Sequence, residues 1–137
     1  MPTRSLDFNN PPKTEIGGVI NALCDDAHDI AVQHGFYEDQ YDLEEYLESK
    51  DEPDKHATAM TNFTLAQLAK VASEVGEAVG AIQHGEYLQL HEELADIVIR
   101  VMDLAGYLEF RLGDCVMLKM EKNRKRPWKH GNDDYKE

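Results

Sequence analysis

A chain of 137 residues, with 42% hydrophobic and 30% charged residues, is long enough for one hydrophobic core, and this composition excludes a disordered protein. Its formal net charge of −13 argues against binding long nucleic acids, because the field of the protein would repel phosphate. The N-terminus carries no apolar signal segment and no window approaches eighteen apolar residues, so we expect a soluble, cytoplasmic protein without membrane contact. Cys24 and Cys115 lack metal-ligand spacing and are expected to be reduced thiols.

The first helix is predicted from about 15 to 34. Residues 1–13 before it are polar and contain three prolines, so we expect a flexible lead-in. Thr14 can cap the start of the helix, apolar residues recur at helical spacing after it, and Gly35 suits its end.

The stretch 36–61 is an acidic excursion between the first two predicted helices. Between Glu38 and Asp54 it carries nine acids and one lysine, and Pro53 is expected to interrupt any helix. Three interpretations stay open at this point: a short helix over 42–49, a mobile lid, or a solvated spacer.

Three further helices are predicted from apolar periodicity and their end signals. The second helix is predicted from a cap at Thr61 or Asn62 to a stop at Gly85. The third is predicted from about 87 to 111, and the fourth from a cap at Asp114 to about Arg126. The apolar stripe of the second helix, expected to be buried, consists of Leu65, Leu68, Val71, Ala72, Val75, Val79 and Ile82.

No segment alternates in the manner of a strand, so the fold class predicted is all-α, a four-helix bundle. Residues 14–131 are expected to form a single helical domain, followed by a polar tail over 132–137.

Two pairs of acids lie on the second and third predicted helices, Glu74 with Glu77 and Glu93 with Asp96. Residues three apart share a helix face, so each pair can direct two carboxylates to one point, and a short turn would bring all four together. Clustered carboxylates repel each other unless a cation lies between them, and an all-oxygen set suits Mg²⁺ or Mn²⁺ better than zinc. A solvated face would explain either pair alone, but both pairs border apolar stripes, which favours a magnesium site.

Around these acids the sequence resembles a known family. The motifs are S-E-V-G-E at 73–77, E-E-L-A-D at 92–96, D-I-V-I-R-V-M-D-L-A at 96–105 and K-M-E-K-N-R-K-R-P-W-K-H-G at 119–131. In this order they resemble the MazG-like branch of the all-α nucleoside triphosphate pyrophosphohydrolases, over most of residues 15–131.

The resemblance implies Mg²⁺-dependent hydrolysis of a nucleoside triphosphate, with a deoxynucleotide expected, to the monophosphate and pyrophosphate. Glu74, Glu77, Glu93 and Asp96 would then be the catalytic residues that hold the metal, and Glu74 would also orient or deprotonate the attacking water. Lys122, Asn123 and Arg126 match positions at which the family binds the substrate phosphates.

Two expectations concern residues around this site. Arg100 and Asp103, each seven residues after an acid of the second pair, are expected to form a structural ion pair at its edge. Phe36, Tyr37 or Trp128 is expected near the substrate base.

Wide apolar arcs on the last three helices predict a homo-oligomer, a dimer or a tetramer, and the resemblance implies the same. Two other functions stay open: a phosphoribosyl-ATP pyrophosphohydrolase-like activity, and a non-enzymatic helical interaction protein. A di-iron carboxylate bundle is disfavoured, because no glutamate is followed three residues later by histidine.

Overall fold

The protein consists of helices throughout the part that the computed structural model describes, residues 6–128. The helices are α1 (Glu15–Gln33), α2 (Glu38–Ser49), α3 (Pro53–Gln83), α4 (Tyr87–Leu108) and α5 (Leu112–Arg124). No strand occurs within residues 6–128, which confirms the all-α class. None of these helices combines the length and the apolar composition that crossing a membrane would require.

The acidic excursion is itself helical, and this changes the predicted helix count from four to five. It contains α2 and the first turns of α3, which begins at Pro53 and not near Thr61. Proline is well suited to the first position of a helix, because the N–H that it lacks has no partner there anyway. Pro53 therefore does mark the break between two helices, as expected, but the predicted start of the next helix at Thr61 or Asn62 was wrong. Between α2 and α3, Asp51 adopts a left-handed φ of 53° and breaks the chain direction.

The described chain divides into two compact units. Residues 24–109 form one unit, and the described residues on either side of that range form the other. The single-domain assignment of 14–131 stays a prediction, and the polar tail over 132–137 lies outside the described residues.

An aromatic cluster forms the core of the unit 24–109. Tyr37, only 1% exposed, packs against Leu104 and Tyr107, and Phe63 lies against the same group. The ring centroids of Tyr37 and Phe63 are 5.3 Å apart, and those of Phe63 and Tyr107 are 5.0 Å apart. Residues from three helices and the N-cap residue of α2, Tyr37, therefore meet in this core, since Ala31 of α1 packs against it as well.

α3 and α4 form a helical hairpin, because only residues 84–86 connect them. Gly85, with a φ of +71°, supplies the left-handed residue that reverses the chain. The face of α3 that is buried carries small or acidic residues, Glu74, Ala78 and Ala81.

The apolar stripe predicted for the core of α3 is largely exposed in the single chain, so this chain alone does not bury it. Leu65 is 60% exposed. The other exposed members of the stripe are Leu68, Val75, Val79 and Ile82. On α4, Leu94 and Val98 are exposed in the same way. Periodicity located the apolar face of each helix correctly but did not show that this chain alone leaves it uncovered.

In the second unit, Asp114 holds the start of α1 against α5. Its side chain is 2% exposed and accepts hydrogen bonds from the Thr14 N–H at 3.2 Å, Asn21 Nδ2 at 3.1 Å and Arg111 Nη1 at 3.4 Å. Asp114 was predicted to cap the last helix, but α5 begins at Leu112 and Asp114 lies in its first turn. Thr14 does cap α1, because its hydroxyl oxygen accepts from the Gly17 N–H at 2.9 Å.

Two adjacent glycines of α1 give the first prediction. A Cβ on Gly17 would collide with the Asp114 side chain, whereas a Cβ on Gly18 would meet nothing within 4 Å. Alanine raises helix propensity at both positions, but at Gly17 the overlap must be relieved by moving a buried carboxylate. We expect Gly17→Ala to lower the free energy of unfolding by about 1–3 kcal/mol. Gly18→Ala should raise it by about 0.5–1 kcal/mol.

Chemical denaturation of both variants measures this difference, and each is the control for the other. Equal changes of the same sign would show that Asp114 does not approach α1 in solution.

Candidate metal-binding site

Three of the predicted acids meet between α3 and α4. Glu74, Glu77 and Glu93 each offer one carboxylate oxygen, and these oxygens all lie within 4.8 Å of one another. Glu74 and Glu77 share one face of α3, and the hairpin brings Glu93 of α4 opposite them. The structure therefore brings these three residues together as the sequence predicted.

Glu93 has a carboxylate oxygen that no described residue satisfies. Its side chain is 7% exposed, Oε1 accepts a hydrogen bond from Gln89 Nε2 at 2.6 Å, and Oε2 has no hydrogen-bond partner within residues 6–128. Leaving a buried carboxylate oxygen without a partner costs free energy, so native proteins rarely do so. An oxygen of this kind beside two further carboxylates is suited to a hard cation such as Mg²⁺.

Asp96 lies beside the three glutamates and is not part of their cluster. It lines a cavity that Glu74 also lines. Its assignment as a fourth ligand remains a prediction.

Arg100 compensates part of the negative charge. Its Nε donates a hydrogen bond of 2.6 Å to Glu74 Oε1. This guanidinium holds the pKa of Glu74 below its usual range. The hydrogen-bonded carboxylate of Glu74, together with Glu93, raises the pKa of Glu77. One charge is thus neutralised by Arg100, and the remaining ones repel each other.

The expected pairing of Arg100 with Asp103 was wrong. Arg100 pairs with Glu74, and Asp103 Oδ1 instead accepts from the Tyr37 hydroxyl at 2.8 Å and lies 2.9 Å from His28 Nδ1. Burial, and next the bond to Asp103, raise the pKa of Tyr37, so its hydroxyl stays protonated. His28 Nε2 lies 2.6 Å from the Tyr41 hydroxyl, so both ring nitrogens of His28 have a hydrogen-bonding partner.

The cavity next to the acid cluster has a volume of about 370 Å³. This lies within the range of small-molecule pockets, roughly 300–1,000 Å³. Polar side chains of its lining are Gln67, Lys70, Glu74, Asp96, Arg100 and Asp103, and the exposed Phe36 adds an aromatic ring. Tyr37 also lines it, although most of its ring belongs to the core.

A second depression, of about 600 Å³ between α2 and α3, is larger but more open, and it contains none of the predicted site residues. Volume alone would favour the larger depression as the ligand-binding site, whereas the chemistry of the lining favours the smaller cavity. The smaller cavity is the stronger candidate, because it alone of the two adjoins the carboxylate cluster.

The basic residues predicted to bind phosphate belong to the other compact unit. Lys122 and Asn123 lie in the last turn of α5, and Arg126 follows the C-cap residue, Lys125. The last helix was predicted to reach about Arg126, but α5 ends at Arg124. The phosphate-binding role of these three residues remains a prediction.

Paired helices that present clustered carboxylates beside a cavity place this protein among the all-α proteins with a candidate acidic metal site. The family model of the MazG nucleotide pyrophosphohydrolase domain matches residues 63–130, which include α4, α5 and most of α3. Residues 63–130 therefore belong to the MazG nucleotide pyrophosphohydrolase family. The match leaves α1 and α2 outside and so is shorter than the resemblance over 15–131. Neither the curated proteins nor the solved structures contain a significant match.

Charge repulsion in the cluster gives the second prediction. The pKa of Glu77 is raised, so the folded protein holds this proton more tightly than the unfolded chain does. The glutamate therefore destabilises the metal-free fold once the pH rises above the unfolded value of about 4.3. Glu77→Gln should raise the free energy of unfolding at neutral pH, and the gain should disappear as the pH falls through that value.

Denaturant unfolding in the presence of a chelator, at neutral pH and near pH 4, measures this effect. Glu48→Gln, on an exposed position of α2, is the matched control. A less stable Glu77→Gln protein at neutral pH would show that Glu77 is a structural partner and not a repelled ligand.

Proposed function

We propose that this protein hydrolyses a nucleoside triphosphate, with a deoxynucleotide as the expected substrate, to the monophosphate and pyrophosphate in a Mg²⁺-dependent reaction. Membership of the MazG family supports pyrophosphohydrolase activity. The observation that carries the metal requirement is the buried Oε2 of Glu93, which has no partner in residues 6–128 and lies in a cluster of three carboxylates. Mn²⁺ has the same ligand preference and is expected to substitute.

In this proposal Glu74, Glu77, Glu93 and Asp96 hold the cation. When bound, the cation neutralises charge that develops on the phosphate oxygens. The attacking water adds to phosphorus, the bridging P–O bond between the α- and β-phosphates breaks, and the proton of the water passes to a base. Glu74 is proposed for that base, or for orienting the water, because its carboxylate lies in the cluster and also lines the adjacent cavity.

The substrate is proposed to occupy the cavity beside the acids. Phe36 offers an exposed ring there on which a base can stack. Lys122, Asn123 and Arg126 are proposed to bind phosphate, as the family resemblance implies.

The third prediction is the activity itself. With Mg²⁺ or Mn²⁺, the purified protein should convert at least one ribo- or deoxynucleoside triphosphate to monophosphate plus pyrophosphate, and chelation should stop the reaction. Glu93→Gln should fold normally, because the amide fits the same space, but its kcat should fall by about a hundredfold or more through the loss of a metal ligand.

Pyrophosphate release measured over a panel of nucleoside triphosphates and phosphoribosyl-ATP tests this. Orthophosphate with a diphosphate product would contradict the proposed bond cleavage. A response only to phosphoribosyl-ATP would assign that related activity, and inactivity over the whole panel would favour a non-enzymatic interaction protein.

The fourth prediction concerns the basic segment. Lys122→Ala and Arg126→Ala should each raise KM by about tenfold, because a charge-assisted hydrogen bond to phosphate contributes roughly 1.5–3 kcal/mol. Their metal affinity should stay unchanged. Lys125→Ala is the control, since Lys125 is exposed and lies 3.9 Å from Glu121 on the surface of α5. Equal effects of all three changes would indicate general electrostatic attraction and no specific phosphate contact.

We also propose that the protein is a homodimer or a homotetramer, with a second copy covering the exposed apolar stripe of α3 and the exposed leucine and valine of α4. An apolar surface of this extent on one hairpin is characteristic of an interface.

The fifth prediction follows from this. Light scattering at micromolar concentration should give at least twice the mass of one chain, and Leu68→Glu should lower it, because the change places a charge within the stripe. Lys55→Glu, an exposed change elsewhere on α3, is the control and should leave the mass unaltered. A fully active monomer would overturn the proposal.

A further inference from the structure

The cavity beside the acid cluster carries two cationic side chains that the acidic site alone does not require. Lys70 lies one helical turn before Glu74 on α3, and Arg100 reaches the cavity from α4. Both belong to the same compact unit as the carboxylates.

Arg100 is paired with a carboxylate, that of Glu74, which a metal cation would also bind. Its Nε lies 2.6 Å from Glu74 Oε1, and Glu74 is its only hydrogen-bonding residue in the described part of the chain. The Arg100 side chain remains 42% exposed, so it is not fixed by surrounding packing. A guanidinium and a divalent cation beside one carboxylate repel each other, and the flexible side chain is the group that can move.

The polar composition of the cavity also restricts what enters it. Besides Lys70 and Arg100, the lining contains the acids Glu74, Asp96 and Asp103. An anion alone would be repelled by these acids. Once a cation neutralises them, the planar guanidinium fork can bind two oxygens of a phosphate, and Lys70 adds a second positive charge.

We infer that Arg100 and Lys70 form a polyphosphate-binding wall in which Arg100 pairs with Glu74 until a divalent cation takes that carboxylate, and then binds phosphate oxygens of the ligand. This inference deepens the proposed function, on which it rests for the nature of the ligand. It follows that the cation and the polyphosphate each strengthen the binding of the other, and the two enhancements are equal by linkage.

Calorimetric titration tests this without turnover. Mg²⁺ is titrated alone, and pyrophosphate is then titrated into protein saturated with Mg²⁺, against a protein-free blank. Arg100→Gln should bind Mg²⁺ alone roughly fivefold more tightly, because the competing ion pair is removed. It should bind pyrophosphate at least about tenfold more weakly, because the fork is lost.

Two further variants separate the contributions. Lys70→Gln should weaken pyrophosphate binding while changing the affinity for Mg²⁺ alone less than Arg100→Gln does, since no carboxylate pairs with Lys70 among residues 6–128. Arg124→Gln removes an equal charge from an exposed pair with Glu121 and should change neither affinity. If circular dichroism shows that Arg100→Gln does not fold, Arg100→Lys takes its place, because lysine keeps the charge but lacks the guanidinium fork. Arg100→Lys should weaken pyrophosphate binding relative to the wild type, by less than the loss expected for Arg100→Gln.

Unchanged or weaker Mg²⁺ binding in Arg100→Gln, or unchanged pyrophosphate binding, overturns the inference. The inference is also overturned if the wild-type protein binds neither Mg²⁺ nor pyrophosphate. Wild-type protein that shows the expected affinities but hydrolyses no nucleoside triphosphate would remove the proposed function alone. Hydrolysis by a wild-type protein whose affinities do not depend on Arg100 would remove this inference alone.

Discussion

The main constraint on the unit 24–109 is the repulsion among three carboxylates held between two helices, which the packing of the unit must offset. Glu74, Glu77 and Glu93 present oxygens within 4.8 Å of each other, a separation that negative charges do not adopt without compensation. Gln89 and Arg100 each satisfy one oxygen, and Glu93 Oε2 is left without a partner in the described chain. The helix pair therefore contains a site that a positive charge would stabilise. Packing elsewhere in the unit must offset the unfavourable free energy of the clustered carboxylates.

The division of α3 into two faces explains how the carboxylates come so close. Ala78 and Ala81 follow Glu74 along its buried face, and side chains this small allow another helix to approach. The bulky apolar residues Leu65, Leu68, Val75, Val79 and Ile82 lie away from this face, where this chain does not cover them. The same arrangement that brings the acids together thus leaves an apolar surface for a second molecule.

Several elements were predictable because their cause is local. The spacing of Glu74, Glu77 and Glu93, together with the short turn at Gly85, was enough to place three acids at one site. The start of α3 at Pro53 was missed because proline was taken as a helix breaker, although it is favoured at a first position.

Other features depend on contacts between distant parts of the chain. The pairing of Arg100 with Glu74 spans 26 residues, and no spacing rule distinguishes it from a pairing with Asp103. Exposure of the α3 stripe was missed for a different reason. Periodicity shows that a helix has an apolar face, but whether the same chain or another covers that face is a property of the assembly.

The family match begins at residue 63, ten residues inside a helix that starts at Pro53. The matched segment 63–130 therefore begins inside α3 and does not coincide with a boundary of the helical structure. Phe63 and Tyr107 lie within the matched span, whereas Tyr37, which packs against both rings, lies before it. A protein trimmed to the matched residues would lose this cover for its aromatic core. A chain that lacked the N-terminal helices would have to bury the equivalent surface in another way.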